Sequence, residues 1–375
     1  MKTSFAKKSS REIKAGKIST ELIWFDSMGA KSSSVLITTP DISILIDPGC
    51  AEMQPSYPLS KEEKKSLRQK ALEEIIKTSR KADVIFISHY HYDHHTLPKE
   101  ANELYKNKLW IKNPNLWICR SQWQRARKFI QQLCEIYEVN YKKLLIPPKR
   151  MKFSDPLDSL PLAKSKDYGE YTKRKQSLWR KGRARFKRLV QFWQRNDWIK
   201  ETNINGLELV FIDGKEIRCG RTRIKFTPPL FHGLEYTNLG WTIGVVVEYW
   251  NNKVLYTSDL QGPVIEDYAQ WVIDENPSVI IADGPATYLF GYMVNRINLA
   301  RSVENMCRIL KQTSAKLIIY DHHLLREANY IQRTKEVWEL AKKLKKRLIT
   351  ASEFLGEKPL ILKITEKNSS ASSKL

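Results

Sequence analysis

The sequence predicts an α/β fold in which β-sheets are sandwiched between layers of helices. Three observations predict it: short apolar strands alternate with helical patterns, polar residues stand where strands end, and both halves of the chain share this texture. At 375 residues, with 42% of them hydrophobic, the chain is long and apolar enough to bury a full core.

The first half of the predicted domain covers residues 21–104 and follows a polar, basic stretch, residues 1–20, that we expect to be a flexible arm. "VLITT" and "ISILID" predict two strands, because both are short and rich in β-branched residues. Ser60 and Glu63 form a capping-box pattern that predicts the start of a helix. The apolar run "DVIFIS" then predicts a strand that is buried on both faces.

The second half covers residues 206–360 and repeats the pattern. "LGWTIGVVVEY" and "KVLYTS" predict two strands, and the second of them runs directly into Asp259. Two further buried strands, "SVIIADG" and "KLIIY", end near Asp283 and just before "DHH". Residues 361–375 form a polar tail, and its end, "KNSSASSKL" (residues 367–375), is expected to be disordered.

Residues 105–205 differ from both halves and predict an inserted, mostly helical and basic subdomain. Between residues 171 and 196 the chain has ten basic residues and no acidic one. An apolar stripe at helical spacing predicts the packing face of a helix; it consists of Trp179, Gly182, Phe186, Leu189 and Trp193. The other faces would present basic side chains suited to phosphate contacts, namely Arg180, Lys181, Arg183, Arg185, Lys187 and Arg188.

The charge of the whole chain favours a polyanionic partner, which we expect to be nucleic acid, either RNA or a ribosome. Sixty-four Lys and Arg residues against 41 Asp and Glu residues give a net charge of +23. The five cysteines form no CxxC pair, so neither a disulfide framework nor a cysteine-only zinc site is indicated. Since the chain has no long apolar run and no secretory signal, we expect a cytoplasmic protein without membrane insertion.

The segment "SHYHYDHH", residues 88–95, contains four of the seven histidines in the chain. It follows an apolar strand directly, and imidazole with carboxylate is a ligand set that zinc, iron or manganese accepts. The other three histidines and one more aspartate also stand at predicted strand ends; they are His232, His322, His323 and Asp259. The pattern predicts a metal site.

These residues resemble the motifs of the metallo-β-lactamase superfamily, whose fold is an αββα sandwich. In chain order, the matching residues are Asp47 for the first motif, His89, His91, Asp93 and His94 for the second, His232 for the third, Asp259 for the fourth, and His322 or His323 for the fifth. "FDSMGAKSSSV", "SHYHYDHHT", "SQWQRA", "SDLQGP" and "YDHHLLR" are similar, more narrowly, to an archaeal branch of predicted metal-dependent hydrolases.

The resemblance implies a hydrolase with two divalent metal ions, and zinc is the metal we expect, with iron or manganese as alternatives. One ion would take His89, His91 and His232, and the other would take Asp93, His94 and His322, with Asp259 between them. Asp93 is also the expected catalytic residue, because it would handle a proton. Residues expected to contact a ligand or the substrate instead of a metal are Asp47, His95, Asp283 and His323. We expect His322 to be the ligand and not His323, since adjacent residues of a strand point to opposite sides.

The superfamily does not fix the substrate, so three functional hypotheses stand. The basic insertion favours a binuclear hydrolase that acts on a phosphodiester or related bond in nucleic acid. A metal hydrolase of a small ester, lactone or phosphate is the first alternative. An RNA- or ribosome-binding protein that retains a metal site is the second.

Overall fold

The computed structural model of the protein describes residues 12–106 and 108–372. These residues form nineteen strands: β1 (Glu12–Ala15), β2 (Ile18–Phe25), β3 (Ser33–Thr38), β4 (Ser43–Ile46), β5 (Val84–Ile87), β6 (Lys108–Ile111), β7 (Leu145–Ile146), β8 (Trp198–Ile199), β9 (Thr202–Ile204), β10 (Leu207–Phe211), β11 (Glu216–Cys219), β12 (Thr222–Phe226), β13 (Leu230–Phe231), β14 (Trp241–Thr242), β15 (Val245–Tyr249), β16 (Asn252–Tyr256), β17 (Val279–Asp283), β18 (Leu317–Asp321) and β19 (Arg347–Ile349).

The same residues form ten α-helices: α1 (Lys61–Ser79), α2 (Arg120–Ile136), α3 (Pro161–Ser165), α4 (Thr172–Trp193), α5 (Glu266–Glu275), α6 (Arg296–Gln312), α7 (Tyr330–Arg333), α8 (Lys335–Lys343), α9 (Ala351–Phe354) and α10 (Leu360–Ser372). The predicted capping box at the start of α1 is confirmed, since Ser60 and Glu63 each accept a hydrogen bond from the other's backbone N–H. None of the described helices has both the length and the apolar character that a membrane-spanning segment requires.

Two large sheets form the centre of the fold. The first has the order β1-β2-β3-β4-β5-β6-β10-β9, and the second has the order β11-β12-β15-β16-β17-β18-β19. Strands β4, β5, β6 and β10 run parallel to one another, and so do β16 to β19. Since parallel strands need crossover connections, helices cover the outer faces of both sheets.

The inner faces of the sheets pack against each other through one apolar cluster. Phe86 of the first sheet contacts Phe226 of the second edge to face, with ring centroids 5.0 Å apart. The outer clusters join α1, α2 and α4 to the first sheet, and α5, α6 and α8 to the second. The predicted αββα sandwich is therefore confirmed.

The insertion packs onto the first sheet instead of standing apart from it. Its apolar stripe faces inward as predicted, since Trp179, Phe186 and Trp193 of α4 are buried in the same cluster as the sheet residues. The predicted boundary at residue 105 is wrong, however, because β6 lies between β5 and β10 in the middle of the sheet. The insertion proper begins after β6 and ends before β9.

Two further boundary predictions are wrong for the residues described. Part of the arm predicted over residues 1–20 forms β1 and the start of β2, because Ile13, Ala15 and Ile18 are buried at one face of the hairpin; residues 1–11 lie outside the described range. Residues 367–372, which were predicted to be disordered, form the end of α10, and this helix is anchored by Ile361, which is buried in the second sheet's outer cluster. Residues 373–375 lie outside the described range as well.

Candidate metal centre

The candidate site lies where strands of both sheets end. Parallel strands present their carboxyl ends at one edge of a sheet, so the residues that follow them come together. β5 leads into the histidine segment, β4 into Asp47, β16 into Asp259, and β18 into His322 and His323. His232 directly follows β13.

Asp259 stands at the centre of these residues, and each of its two carboxylate oxygens faces a different pair of histidines. Oδ2 lies 2.8 Å from Nε2 of His232 and 3.4 Å from Nε2 of His89. Oδ1 lies 3.1 Å from Nε2 of His94 and 3.4 Å from Nε2 of His322. This arrangement suits a carboxylate that bridges two cations.

The group on the Oδ2 side consists of His89, His91 and His232, with Asp259. Nε2 of His89 lies 3.0 Å from Nδ1 of His91, and the imidazole of His232 packs against both, with ring centroids 5.1 and 4.8 Å away. Ligands about 2.0 Å from a tetrahedral zinc ion are roughly 3.3 Å from each other, so these nitrogens are spaced like ligands of one ion.

The group on the Oδ1 side consists of Asp93, His94 and His322. Nε2 of His94 and Nε2 of His322 lie 3.2 Å apart, and Oδ2 of Asp93 lies 3.8 Å from Nε2 of His322. His94 and His322 are fully buried, whereas Asp93 is partly exposed. Asp93 is therefore the member of this group that a substrate or solvent could reach.

Asp47 lies against His94 and belongs to neither of the two groups. Its Oδ2 lies 2.8 Å from Nδ1 of His94, and it also accepts hydrogen bonds from Ser88 and Tyr256. An N–H···carboxylate bond on Nδ1 leaves Nε2 of His94 free to face the centre and makes it a stronger ligand. Asp47 has a φ of 49°, in the left-handed region that few non-glycine residues adopt.

His322 and His323 both face Asp259, because the backbone is no longer extended after the end of β18. His322 has a φ of 57° and begins a short 3₁₀ helix, so the alternation expected of a strand stops there. Nε2 of His323 is 4.0 Å from Oδ2 of Asp259, and its Nδ1 lies 2.9 Å from Oδ1 of Asp283. The choice of His322 as the ligand stays a prediction, which the shorter distance of 3.4 Å favours.

Two residues of the site were not predicted from the sequence. The buried carboxylate of Asp26 holds Nδ1 of His322 at 2.9 Å and pairs with Arg326 at 2.5 Å. Arg326 also pairs with Asp93 at 3.1 Å. Burial lowers the pKa of Arg326, but Asp26 and Asp93 outweigh it and raise the pKa well above the usual value. Arg326 therefore places a permanent positive charge beside the proposed catalytic carboxylate.

His95 lies behind the metal-facing residues. Its Nδ1 is 2.8 Å from the carbonyl oxygen of His91, and its ring packs between Tyr92 and Phe129. Burial lowers the pKa of His95 to about 3, so the ring is neutral. His95 therefore supports the backbone of the segment and does not face Asp259.

The residues at the centre fit divalent metal ions. Both oxygens of Asp259 and both ring nitrogens of His232 are buried, and none has a hydrogen bond of normal geometry among the described residues. Asp259 and His232 are therefore 2.8 Å apart, but their angles do not suit a hydrogen bond. A cation bound to both side chains would satisfy these buried polar atoms. Burial lowers the pKa of His89 to about 4, which leaves it as the neutral imidazole that metals bind.

The basic residues of α4 divide into two sets. Four of the six predicted nucleic-acid contacts are exposed, and these are Arg180, Lys181, Lys187 and Arg188. The other two are held by protein partners: Arg183 pairs with Asp155 at 2.5 Å, and Arg185 donates to Asn238. The prediction that these six bind nucleic acid stays a prediction.

Comparison with known proteins places the chain in a class. The family model of the metallo-beta-lactamase superfamily matches residues 29–95, which include Asp47 and the histidine segment. A UPF0282 protein of Methanopyrus kandleri is 30% identical over 351 residues, which cover 90% of this chain and 94% of that protein. A UPF0282 protein of Korarchaeum cryptofilum is 30% identical over 337 residues, covering 89% of this chain and 88% of that one. The chain therefore belongs to the UPF0282 family, a branch of the metallo-β-lactamase superfamily with archaeal members.

Solved structures with a similar fold include the metallo-beta-lactamase fold protein YhfI from Bacillus subtilis. The two chains are 12% identical, with a TM-score of 0.42 over 89% of this chain and 95% of that chain. An isothiocyanate hydrolase from Delia radicum gut bacteria is also 12% identical, with a TM-score of 0.40 over 86% of this chain and 94% of that chain.

Proposed function

We propose that the protein is a binuclear metal-dependent hydrolase that cleaves a phosphodiester bond in nucleic acid. The observation that carries the binuclear part is the position of Asp259, whose Oδ2 faces His89 and His232 while its Oδ1 faces His94 and His322. A carboxylate whose two oxygens each face a separate group of histidines is suited to binding two cations. A structural ion pair would need only one such group.

Two divalent cations, which we expect to be zinc, would supply Lewis-acid charge and lower the pKa of a water molecule toward neutrality. The chain's own residues then have separate tasks. The buried histidines and Asp259 fix where the reaction takes place and exclude bulk water. Asp93, which is partly exposed, is the carboxylate placed to take up a proton during the reaction, and Arg326 at 3.1 Å orients it.

The choice of nucleic acid as the substrate is supported by where the basic helix is attached. α4 is fixed to the loop that begins at His232: Lys175 pairs with Glu235, and Arg185 donates to Asn238. A side chain in place of Gly182 would collide with the ring of Tyr236, so helix and loop approach closely. The exposed basic face of α4 therefore belongs to the same structural unit as a proposed metal ligand, and the net charge of +23 adds long-range attraction for a polyanion.

The test is hydrolysis of bis(p-nitrophenyl) phosphate and of labelled RNA and DNA by protein loaded with zinc, manganese or iron. Asp259→Asn should abolish cleavage of all three, whereas the exposed Asp274→Asn is the matched control and should keep it. Cleavage of p-nitrophenyl acetate without any cleavage of phosphodiesters would favour the small-ester hydrolase. Salt-dependent nucleic-acid binding without any hydrolysis would favour the RNA- or ribosome-binding protein.

A further inference from the structure

A cavity of about 390 Å³ lies between the start of α2, the middle of α4 and the loop that follows His232. The side chains that matter for its chemistry are Arg120, Ser121, Arg185, Arg188, Thr237 and Asn238. Three arginines thus line one cavity, together with a serine, a threonine and an asparagine. Its lining contains no aspartate or glutamate among the described residues.

Among the described residues no carboxylate pairs with the three arginines of this cavity, whereas a neighbouring arginine has such a partner. Arg183, on the same helix, has the carboxylate of Asp155 as its partner. Arg185 has the neutral amide of Asn238 instead. Burial lowers the pKa of Arg185, and the charge of Arg188 lowers it further, so these two cations lie close enough to repel each other. An anion between them would remove that repulsion.

The start of α2 adds to the positive potential. Backbone N–H groups point outward at a helix N-terminus, where acidic side chains are favourable and basic ones are not. α2 has no acidic residue in its first turn, its first residue is Arg120, and the N-cap Cys119 makes no side-chain capping bond. Arg120 at this position is unfavourable for the helix alone, but it is favourable if an anion occupies the cavity.

Protein contacts hold two of the three arginines in place. The guanidinium of Arg120 lies over the ring of Phe192, 5.0 Å from its centroid, which ties the start of α2 to α4. Arg185 is tied to the loop after His232 through Asn238. Because an anion that binds to groups already in position restricts less side-chain freedom, this arrangement favours binding.

We propose that this cavity binds a phosphomonoester, namely the terminal phosphate of the nucleic-acid strand that is cleaved at the metal centre. A phosphomonoester carries about −1.5 to −2 charges at pH 7 and has three acceptor oxygens, which matches several guanidiniums better than a singly charged phosphodiester does. That the bound strand is also cleaved at the metal centre rests on the proposed function. Binding of a terminal phosphate in the cavity does not depend on catalysis.

The loop that carries a proposed metal ligand also forms one wall of the cavity. It starts at His232, contributes Thr237 and Asn238 to the lining, and is closed by a hydrogen bond of 3.0 Å from the His232 N–H to the Gly240 carbonyl. A strand whose terminal phosphate occupies the cavity would therefore be anchored to the same loop that holds His232. The distance from the cavity to Asp259 would then determine which phosphodiester bond, counted from the phosphorylated end of the strand, is cleaved.

The test measures binding of four probes to the metal-loaded protein by calorimetry: a trinucleotide with a 5′-phosphate, one with a 3′-phosphate, one with hydroxyls at both ends, and inorganic phosphate. We expect one of the two phosphorylated trinucleotides to bind at least about 10-fold more tightly than the trinucleotide with hydroxyls at both ends. Charge-assisted hydrogen bonds to the phosphate can account for a difference in affinity of this size. Which end is preferred identifies the source of the phosphate. Inorganic phosphate should compete only with the phosphorylated form.

In the double variant Arg120→Gln, Arg188→Gln, the phosphorylated and the hydroxyl-ended trinucleotides should bind with about equal affinity. The matched control is Arg174→Gln with Arg195→Gln, which removes the same charge from exposed positions outside the cavity and should keep the preference. The inference fails if the wild type shows no preference, if the cavity variant keeps it, or if the control loses it too. If the preference is present but no strand is cleaved, the proposed function fails and the phosphate site stands.

Discussion

The ammonium of Lys175 and the carboxylate of Glu235 form an ion pair of 2.5 Å that is almost entirely buried. It joins α4 to the loop that starts at His232, and Arg301 also pairs with Glu235, at 2.7 Å. Burial raises the pKa of Glu235, but Lys175 and Arg301 outweigh it and lower the pKa below its usual value of 4.5. One carboxylate therefore lies between two buried cations.

We predict that Glu235→Gln lowers the free energy of unfolding by about 3–5 kcal/mol, because it leaves Lys175 and Arg301 buried without this charge partner. The control is Glu304→Gln, whose carboxylate is largely exposed beside Lys166 and should contribute less than about 1 kcal/mol. Urea denaturation measures both. Equal effects of the two substitutions would show that the buried network does not hold the helix.

The pH dependence of the same variant follows from the direction of the shift. Since the pKa of Glu235 is lower in the folded than in the unfolded protein, its stabilisation is fully present above pH 4.5 and is lost as the pH falls through the folded value. We predict that the difference in unfolding free energy between wild type and Glu235→Gln is constant near neutrality and shrinks below pH 4.5. A difference that grows on acidification would contradict this.

We predict about two metal ions per chain in fully loaded protein, because the histidine groups on the two sides of Asp259 each suit one ion. Asp259→Ala should lower the occupancy of both, whereas His91→Ala should remove about one ion, since His91 belongs to one group only. Elemental analysis of the purified variants measures this. Wild-type protein that stays metal-free after reconstitution under reducing conditions would remove the basis of the functional proposal.

We predict that His322→Ala lowers metal content more than His323→Ala. His322 faces His94 at 3.2 Å and Asp259 at 3.4 Å, whereas His323 is 4.0 Å from Asp259 and is held by Asp283. The two variants are controls for each other, since they remove the same side chain from adjacent positions. If only His323→Ala empties a site, the second ion lies closer to His323.

The sequence predicts many of the strands and helices of the sandwich and many of the residues that meet at its edge, because both signals are local. An apolar run that ends in a histidine or aspartate predicts a strand, and it also predicts that this polar residue lies at the edge of the sheet. Asp26 follows β2 in the way that Asp47 follows β4, so the sequence does contain that signal. Arg326 has no such local signal: it pairs with Asp26 across 300 positions of the chain, and only the fold brings them together.

The wrong boundaries have physical causes too. β6 has only four residues and stands among helical, basic segments, so local sequence does not separate its short apolar pattern from the insertion. At the N-terminus, basic residues obscure the apolar positions from Ile13 to Ile18, although Gly16, with a φ of 58°, allows the turn of a hairpin. Burial decides both cases, on both faces of β6 and on one face of the N-terminal hairpin, and burial depends on contacts that are distant in the chain.

The last prediction concerns nucleic-acid binding by the exposed face of α4. The variant Arg180→Gln, Lys181→Gln and Lys187→Gln removes three exposed charges that lie outside both the metal groups and the phosphate cavity. Affinity for RNA and DNA should fall, and the slope of log affinity against log salt concentration should flatten by about 0.7–0.9 for each phosphate that the variant no longer neutralises. Metal content and the urea midpoint should stay at wild-type values.

The control for this prediction is Lys342→Gln, Lys343→Gln and Lys345→Gln, which removes three exposed charges around the end of α8. If only the net charge attracts the nucleic acid, both variants should lose affinity to the same extent. If α4 contacts the strand, the α4 variant should lose more affinity and also more of the salt slope, because direct contacts displace counterions from the phosphates. Filter binding at several salt concentrations separates the two outcomes, and equal slopes would show that α4 is not the binding surface.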